Sequence, residues 1–236
     1  MKVLDLFSGI GGFSLGLERA GMETVAFCEQ DKFCQKVLKK HWPDIPIFDD
    51  VRKLDGTQFR GTVDVVCGGF PCQPHSFSGD RLSSKDDRDL WPEYFRIIGE
   101  SQPRWVIAEN VLGLLSSESG RFFGGILRDL ASIRYDAEWF NLPGGAFGCP
   151  HIRPRIWLVA YPNKAQFEGG SISGRIYKEY SDTSYPRRWK DKPGVERMAN
   201  GIPNQMDRVG ALGNAVVPQI PEIIGRAIIH VSQVQP

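Results

Sequence analysis

Short apolar runs alternate with amphipathic stretches along most of the chain. Residues 3–7 form an apolar run broken by one aspartate, Asp5, and predict a buried first strand. A glycine-rich turn follows at 8–12. Phe13, Leu17 and Ala20 then recur at helical spacing until Gly21 ends the pattern. Residues 25–28 read as a second strand with Glu29 at its carboxyl end, and Phe33, Val37 and His41 share the next helix face. Residues 45–48 predict a third short strand running into Asp49 and Asp50. Val63, Val65, Val66 and Cys67 read as another buried strand. A helix is expected over 90–98, then a strand over 104–108 that delivers Glu109 and Asn110. Phe122, Phe123, Ile126, Leu127 and Leu130 mark an amphipathic helix, followed by strands at 135–142 and from about Ile156 to Ala160. Residues 161–200 are polar, Gly/Ser/Tyr-rich and weakly periodic, and a stripe from Ile220 to Val231 predicts a terminal helix. Strands alternating with helices predict an α/β domain, a mostly parallel sheet covered by helices on both faces.

Composition narrows this little. The 236 residues suffice for one well-packed domain and a small appendage, and 41% apolar with 24% charged content is ordinary for a soluble globular protein. The net charge is +1, so nucleic-acid binding would need a local patch. The five cysteines (28, 34, 67, 72 and 149) form no CxxC pair and no Cys/His metal spacing. That suits free thiols in a reducing cytoplasm and predicts no metal. No signal peptide and no membrane-length apolar stretch is expected.

Candidate chemistry centres on residues 68–79, GGFPCQPHSFSG. Cys72 stands at a strand end on a Gly/Pro-shaped turn, as a nucleophile would, although a free cysteine is more often a small buried hydrophobe. The first turn, DLFSGIGGFSLG, with Glu29 beyond it, is a βαβ start of the dinucleotide-binding kind. It departs from GxGxxG because Ser14 stands at the third glycine, which disfavours a nicotinamide cofactor. Glu109 lies on the edge where open α/β sheets bind ligands, and its alternatives are a helix cap or an ion pair. Arg153 and Arg155, two apart, point to one side of an extended chain. Residues 79–89 read as a polar loop, and Arg187, Arg188, Lys190 and Lys192 around Trp189 read as a nucleic-acid patch or a solvated loop.

DLFSGIGG with Glu29, PCQ at 71–73, ENV at 109–111 and GNAVVP at 213–218, in that order, resemble the cytosine-C5 DNA methyltransferases. The resemblance runs from Leu4 to Pro218. It implies a Rossmann-like S-adenosylmethionine methyltransferase fold over 1–160, a short irregular target-recognition insert at 161–200, and a segment at 201–236 that returns to the catalytic domain. It implies methyl transfer from S-adenosylmethionine to carbon 5 of a flipped-out cytosine in double-stranded DNA. Cys72 would add at carbon 6, Glu109 would hold a proton toward ring N3, Arg155 would bind O2, and Arg153 would support the site or a phosphate. The cofactor would meet Phe7, Ser8, Gly9, Gly11, Gly12, Glu29, Pro71 and Leu90, with its adenine at Asp50 and Val51 and its amino-acid end at Asn214. Gln73, Ser76, Ser78, Arg81, Arg187, Arg188 and Lys190 would contact DNA. His151 replaces the glutamine of the family's QxRxR segment, the insert is shorter than usual, and its ninth-motif RxxxR helix is absent. The resemblance also implies a cytoplasmic enzyme paired with a cognate restriction endonuclease. Rival readings are a transfer-RNA cytosine-C5 methyltransferase, a non-catalytic cofactor-binding module, and an NAD-type oxidoreductase.

Overall fold

The computed structural model describes residues 1–71, 89–149, 152–163, 171–183 and 205–233. Its strands are β1 (Lys2–Leu6), β2 (Glu23–Cys28), β3 (Ile47–Phe48), β4 (Val65–Gly68), β5 (Trp105–Val111), β6 (Tyr135–Asn141) and β7 (Arg155–Pro162). Its helices are α1 (Gly12–Arg19), α2 (Lys32–His41), α3 (Trp91–Ser101), α4 (Gly113–Ser116), α5 (Arg121–Ser132), α6 (Ile172–Asp182), α7 (Gln205–Asn214) and α8 (Gln219–Gln233). The strands form one sheet in the order β3-β2-β1-β4-β5-β7-β6. Pairing is parallel from β3 through β5, and β7 runs antiparallel to both its neighbours.

Strand alternation divides the core in two. Leu4, Leu6, Val66, Val106 and Ala108 face α3 and α5, where Tyr94, Ile97, Ile98, Ile126 and Leu130 cover them. Val3, Val65, Cys67, Ile107, Trp157 and Val159 face the opposite layer of α1, α6 and α8. The central strands are buried on both sides, so they read as unbroken apolar runs. Helix α8 crosses α1 closely: a methyl group placed at Gly16 would lie 2.2 Å from the Pro218 carbonyl oxygen.

The described residues of 161–200 include a helix that the polar composition obscures. Ile172 and Ile176, one turn apart, are fully buried and make α6 part of the core. The Ser171 hydroxyl caps α6 by accepting from the Gly174 N–H at 3.1 Å. Glu138 on β6 accepts from the backbone N–H groups of Ile172 and Ser173 and from the hydroxyls of Ser173 and Tyr161. These bonds hold the Glu138 carboxyl below its ordinary range despite burial. Among the described residues no helix is long and apolar enough to cross a membrane.

Candidate active site at the carboxyl edge of the sheet

The chain places β2 and β3 on one side of β1, then returns to place β4 and β5 on the other. The crevice at such a switch point, beyond the carboxyl ends of the strands, is where open α/β sheets take ligands. Phe7, Glu29, Gly69 and Glu109 all emerge there. Arg155 joins them because β7 is reversed, which brings its first residue opposite Val111 at the end of β5.

Glu109 is paired in register with Trp157, so Arg155, two residues before Trp157, lies diagonally across on the same face. The Arg155 Nε donates to Glu109 Oε1 at 2.9 Å, with the glutamate side chain only 12% exposed. Burial pushes the Glu109 carboxyl above its ordinary value, and the charges of Arg155 and Arg153 only partly oppose that rise. The result is a carboxyl of raised proton affinity whose orientation an arginine fixes.

Its neighbour Asn110 points to the other face and is 4% exposed. Its Nδ2 donates to the Phe70 carbonyl at 3.2 Å, and its Oδ1 accepts from the Val111 N–H at 2.8 Å. Phe70 is also wedged against Trp91 and Tyr94. Both contacts anchor the backbone directly before Pro71, the residue that precedes Cys72 in the chain. Sequence reasoning placed Asn110 at the edge without giving it this role; the signal was its position between a strand-end glutamate and an apolar residue. Cys72, Gln73, Ser76, Ser78, Arg81, His151, Arg187, Arg188 and Lys190 lie outside the described residues.

The first turn is tightly braced. The Ser8 hydroxyl donates to the Asp5 carbonyl at 2.6 Å and lies 3.3 Å from the Cys28 carbonyl, so it faces the interior. Glu29 accepts the Gly9 N–H at 2.6 Å and the Asp31 N–H at 2.7 Å. A methyl group at Gly11 would strike the Trp42 ring and one at Gly12 would lie 2.7 Å from the Val216 carbonyl oxygen, so these two glycines permit close packing. Gly9 differs: its φ is 54° and nothing lies within 4 Å of where a side chain would begin. Phe7 adopts φ 52°, a left-handed conformation that costs a non-glycine residue about 1–2 kcal/mol. It packs with the α3-side core, its ring 6.0 Å from Tyr94.

On the β3 side Asp50 is half-buried and its Oδ1 accepts from the Arg52 N–H at 3.0 Å, while Val51 is buried. Arg96 on α3 holds this loop, donating to the carbonyls of Val51 at 2.8 Å and Leu54 at 2.9 Å. Glu93 and Glu100, each 2.8 Å away, fix the guanidinium. Nothing in the sequence pattern singled out Arg96, because its partners lie more than forty residues earlier. Leu90 precedes α3 and packs on the core. Asn214 is the exposed last residue of α7 rather than part of a free turn, and α7 itself was not expected. Arg153 donates to the carbonyls of Gly213 and Ala215.

The sequence profile of the C-5 cytosine-specific DNA methylases matches residues 1–208. The Type II methyltransferase M.NgoMIV of Neisseria gonorrhoeae is 36% identical over 162 residues, which cover 68% of this chain and 52% of that protein. M.Eco47II of Escherichia coli is 39% identical over 164 residues, covering 68% and 39%. The chain thus spans about half the length, or less, of the curated relatives it matches. A prophage-encoded E. coli chain described as a DNA modification methyltransferase superposes with a TM-score of 0.68 at 17% identity, covering 99% of each chain. A mutant of Spodoptera frugiperda DNMT2 gives 0.60 at 16%, covering 99% of this chain and 98% of that one. At these identities the structural likeness bears on the fold, which is that of a Rossmann-like methyltransferase. With its profile match spanning most of the sequence, the chain belongs to the C-5 cytosine-specific DNA methylase family.

Proposed function

We propose that this chain transfers a methyl group from S-adenosylmethionine to carbon 5 of cytosine in double-stranded DNA. The observation that carries the reading is the Glu109–Arg155 pair, a buried carboxyl of raised proton affinity held at the sheet edge beside the backbone that leads to Cys72. The cofactor supplies its methyl as an electrophile on a sulfonium. The residues fit such a group: open space above Gly9, the Glu29 carboxylate and Phe7 lie at the carboxyl edge of the sheet, and the exposed Asn214 ends α7 two residues before Val216, which packs on Gly12. Phe7, Gly9, Glu29, Asp50, Val51, Pro71, Leu90 and Asn214 would hold it, with Ser8, Gly11 and Gly12 shaping the turn.

Carbon 5 of cytosine is a poor nucleophile until electrons are pushed toward it. The Cys72 thiolate adds at carbon 6, forming a carbon–sulfur bond and making the ring enamine-like. Glu109 holds a proton toward N3, offsetting the negative charge that builds there, and Arg155 binds O2. After carbon 5 is alkylated, a base removes its proton, the electron pair restores the ring double bond, and the thiolate leaves. The base must leave the helix stack first, at a cost of a few kcal/mol. Gln73, Ser76, Ser78, Arg81, Arg187, Arg188 and Lys190 are the proposed DNA contacts, and 161–200 the proposed recognition segment. The Type II names of the relatives favour a cytoplasmic restriction-modification role with a cognate endonuclease as partner.

The test is base-resolution cytosine-methylation sequencing in a host without its own cytosine methylation, expressing wild type, Cys72→Ala or Glu109→Gln. Methylation at one short motif, lost in both variants, is expected. Soluble wild-type protein that leaves DNA unmodified while methylating transfer RNA would replace the DNA reading with the RNA one.

A further inference from the structure

We propose that Arg153 is a positioning residue for the cofactor half of the site, a clamp on the end of α7 that carries Asn214, and not a DNA-phosphate contact. Arg153 Nη1 donates to the Gly213 carbonyl at 2.5 Å, and Nη2 to the Ala215 carbonyl at 2.9 Å. The two carbonyls flank Asn214, and a planar guanidinium fork spans such a pair where a single ammonium does not. Gly213 is in the last turn of α7, where helix carbonyls lack intrahelical partners and attract cationic donors.

The backbone aims this fork. Arg153 sits at φ 41°, a left-handed conformation unusual for arginine. It is held there by bonds from the Gly144 N–H to the Arg153 carbonyl at 3.2 Å and from the Gly145 N–H to the Ile152 carbonyl at 3.1 Å. Beyond Ala215 the same turn presses on the first glycine turn, since the Val216 carbonyl blocks any side chain at Gly12. A mechanical chain therefore runs from Glu109 and Arg155, through the two residues back to Arg153, across to 213–216, and into the turn that begins α1. Arg153 is close enough for its charge to act on Glu109 as well. Losing the clamp frees the end of α7 that carries Asn214 without removing any group from the base pocket.

This rests on the cofactor reading above, and the experiment separates the two. S-adenosylmethionine binding is measured by calorimetry without DNA for the full-length wild type, Arg153→Lys and Arg153→Ala. DNA affinity is measured in parallel as a function of salt, with thermal unfolding as the check on folding. Both variants are expected to bind the cofactor about tenfold more weakly or worse, as loss of charged hydrogen bonds implies. Their DNA affinity and its salt slope should match wild type, and saturating cofactor should restore the turnover rate of Arg153→Lys, which keeps the charge that acts on Glu109, to within about twofold. Arg153→Lys is the deciding variant, because lysine keeps a phosphate contact but not a two-carbonyl clamp. Wild-type cofactor affinity in Arg153→Lys, or a salt slope reduced by about one in Arg153→Ala, overturns the proposal alone. A wild type that binds no S-adenosylmethionine overturns the cofactor reading and the proposal with it.

Discussion

Asp5 is wholly buried on β1, directly beneath the first turn, and its protonation state should make stability depend on pH. Its Oδ2 accepts from the Ser14 hydroxyl at 2.7 Å and from the Ser14 N–H at 3.3 Å. Its Oδ1 has no N–H or O–H partner among the described residues. Cys67, its register partner on β4, faces it as a weak thiol donor. The titratable groups that act on it or feel it are Glu29, Cys67, Cys28 and Tyr94, and none supplies a positive charge. Burial therefore dominates and pushes the carboxyl from its ordinary 3.8 up to about 8, with the Ser14 bonds opposing and Glu29 adding to the rise.

The sign follows from linkage. Between about pH 4 and 8 the native state keeps a proton that the unfolded chain has released, so stability falls as pH rises through that window and levels off above it. One proton contributes up to about 1.4 kcal/mol per pH unit, giving a ceiling of about 6 kcal/mol across the window, and relaxation of the buried site brings the expected value to about 2–5 kcal/mol. Asp5→Asn mimics the protonated acid and keeps the acceptor for Ser14, so it should remove the dependence. Urea unfolding of both proteins at intervals from pH 5 to 9 is the assay. The stability of the variant relative to wild type should rise steadily to about pH 8, leaving Asp5→Asn the more stable at the alkaline end. A difference that stays flat over the range would refute the reasoning, because Asp5 would then titrate alike in both states.

Three further outcomes are expected. Gly16→Ala places a methyl group 2.2 Å from the Pro218 carbonyl oxygen and 2.9 Å from the Glu222 nitrogen, backbone atoms that only a shift of α8 can clear. It should lose about 1–3 kcal/mol in thermal or urea unfolding, and an unchanged midpoint would show that the helix crossing is looser than described. Ile176→Ala removes a fully buried side chain of α6. It should lose about 2–5 kcal/mol, whereas a loss near zero would mean that α6 does not dock on the domain. Glu109→Gln keeps the shape but not the titratable proton, so methyl incorporation into DNA should fall about 10²–10⁴-fold while DNA binding survives. Retained turnover would remove Glu109 from the chemistry.

Features governed by local pattern were legible in the sequence, and features governed by distant pairing were not. The runs of β1, β4 and β5 stood out because both faces of each strand are buried, and burial likewise raises the proton affinity of the Glu109 carboxyl at the end of β5. Helix α6 was missed because Ile172 and Ile176 sit among polar residues whose partners, chiefly Glu138, lie more than thirty positions away. The left-handed backbone at Phe7 was hidden for a different reason: alternation along β1 continues up to the residue where it breaks. The arginines show the limit most clearly. A two-residue spacing puts Arg153 and Arg155 on one side of an extended strand only if both lie in that strand. In the fold β7 begins at Arg155, while Arg153 turns left-handed before it and reaches carbonyls about sixty residues on. Arg155, for its part, meets Glu109 because β7 is antiparallel to β5. In a parallel strand the first residue would lie at the opposite end of the sheet, and the same two side chains would never meet.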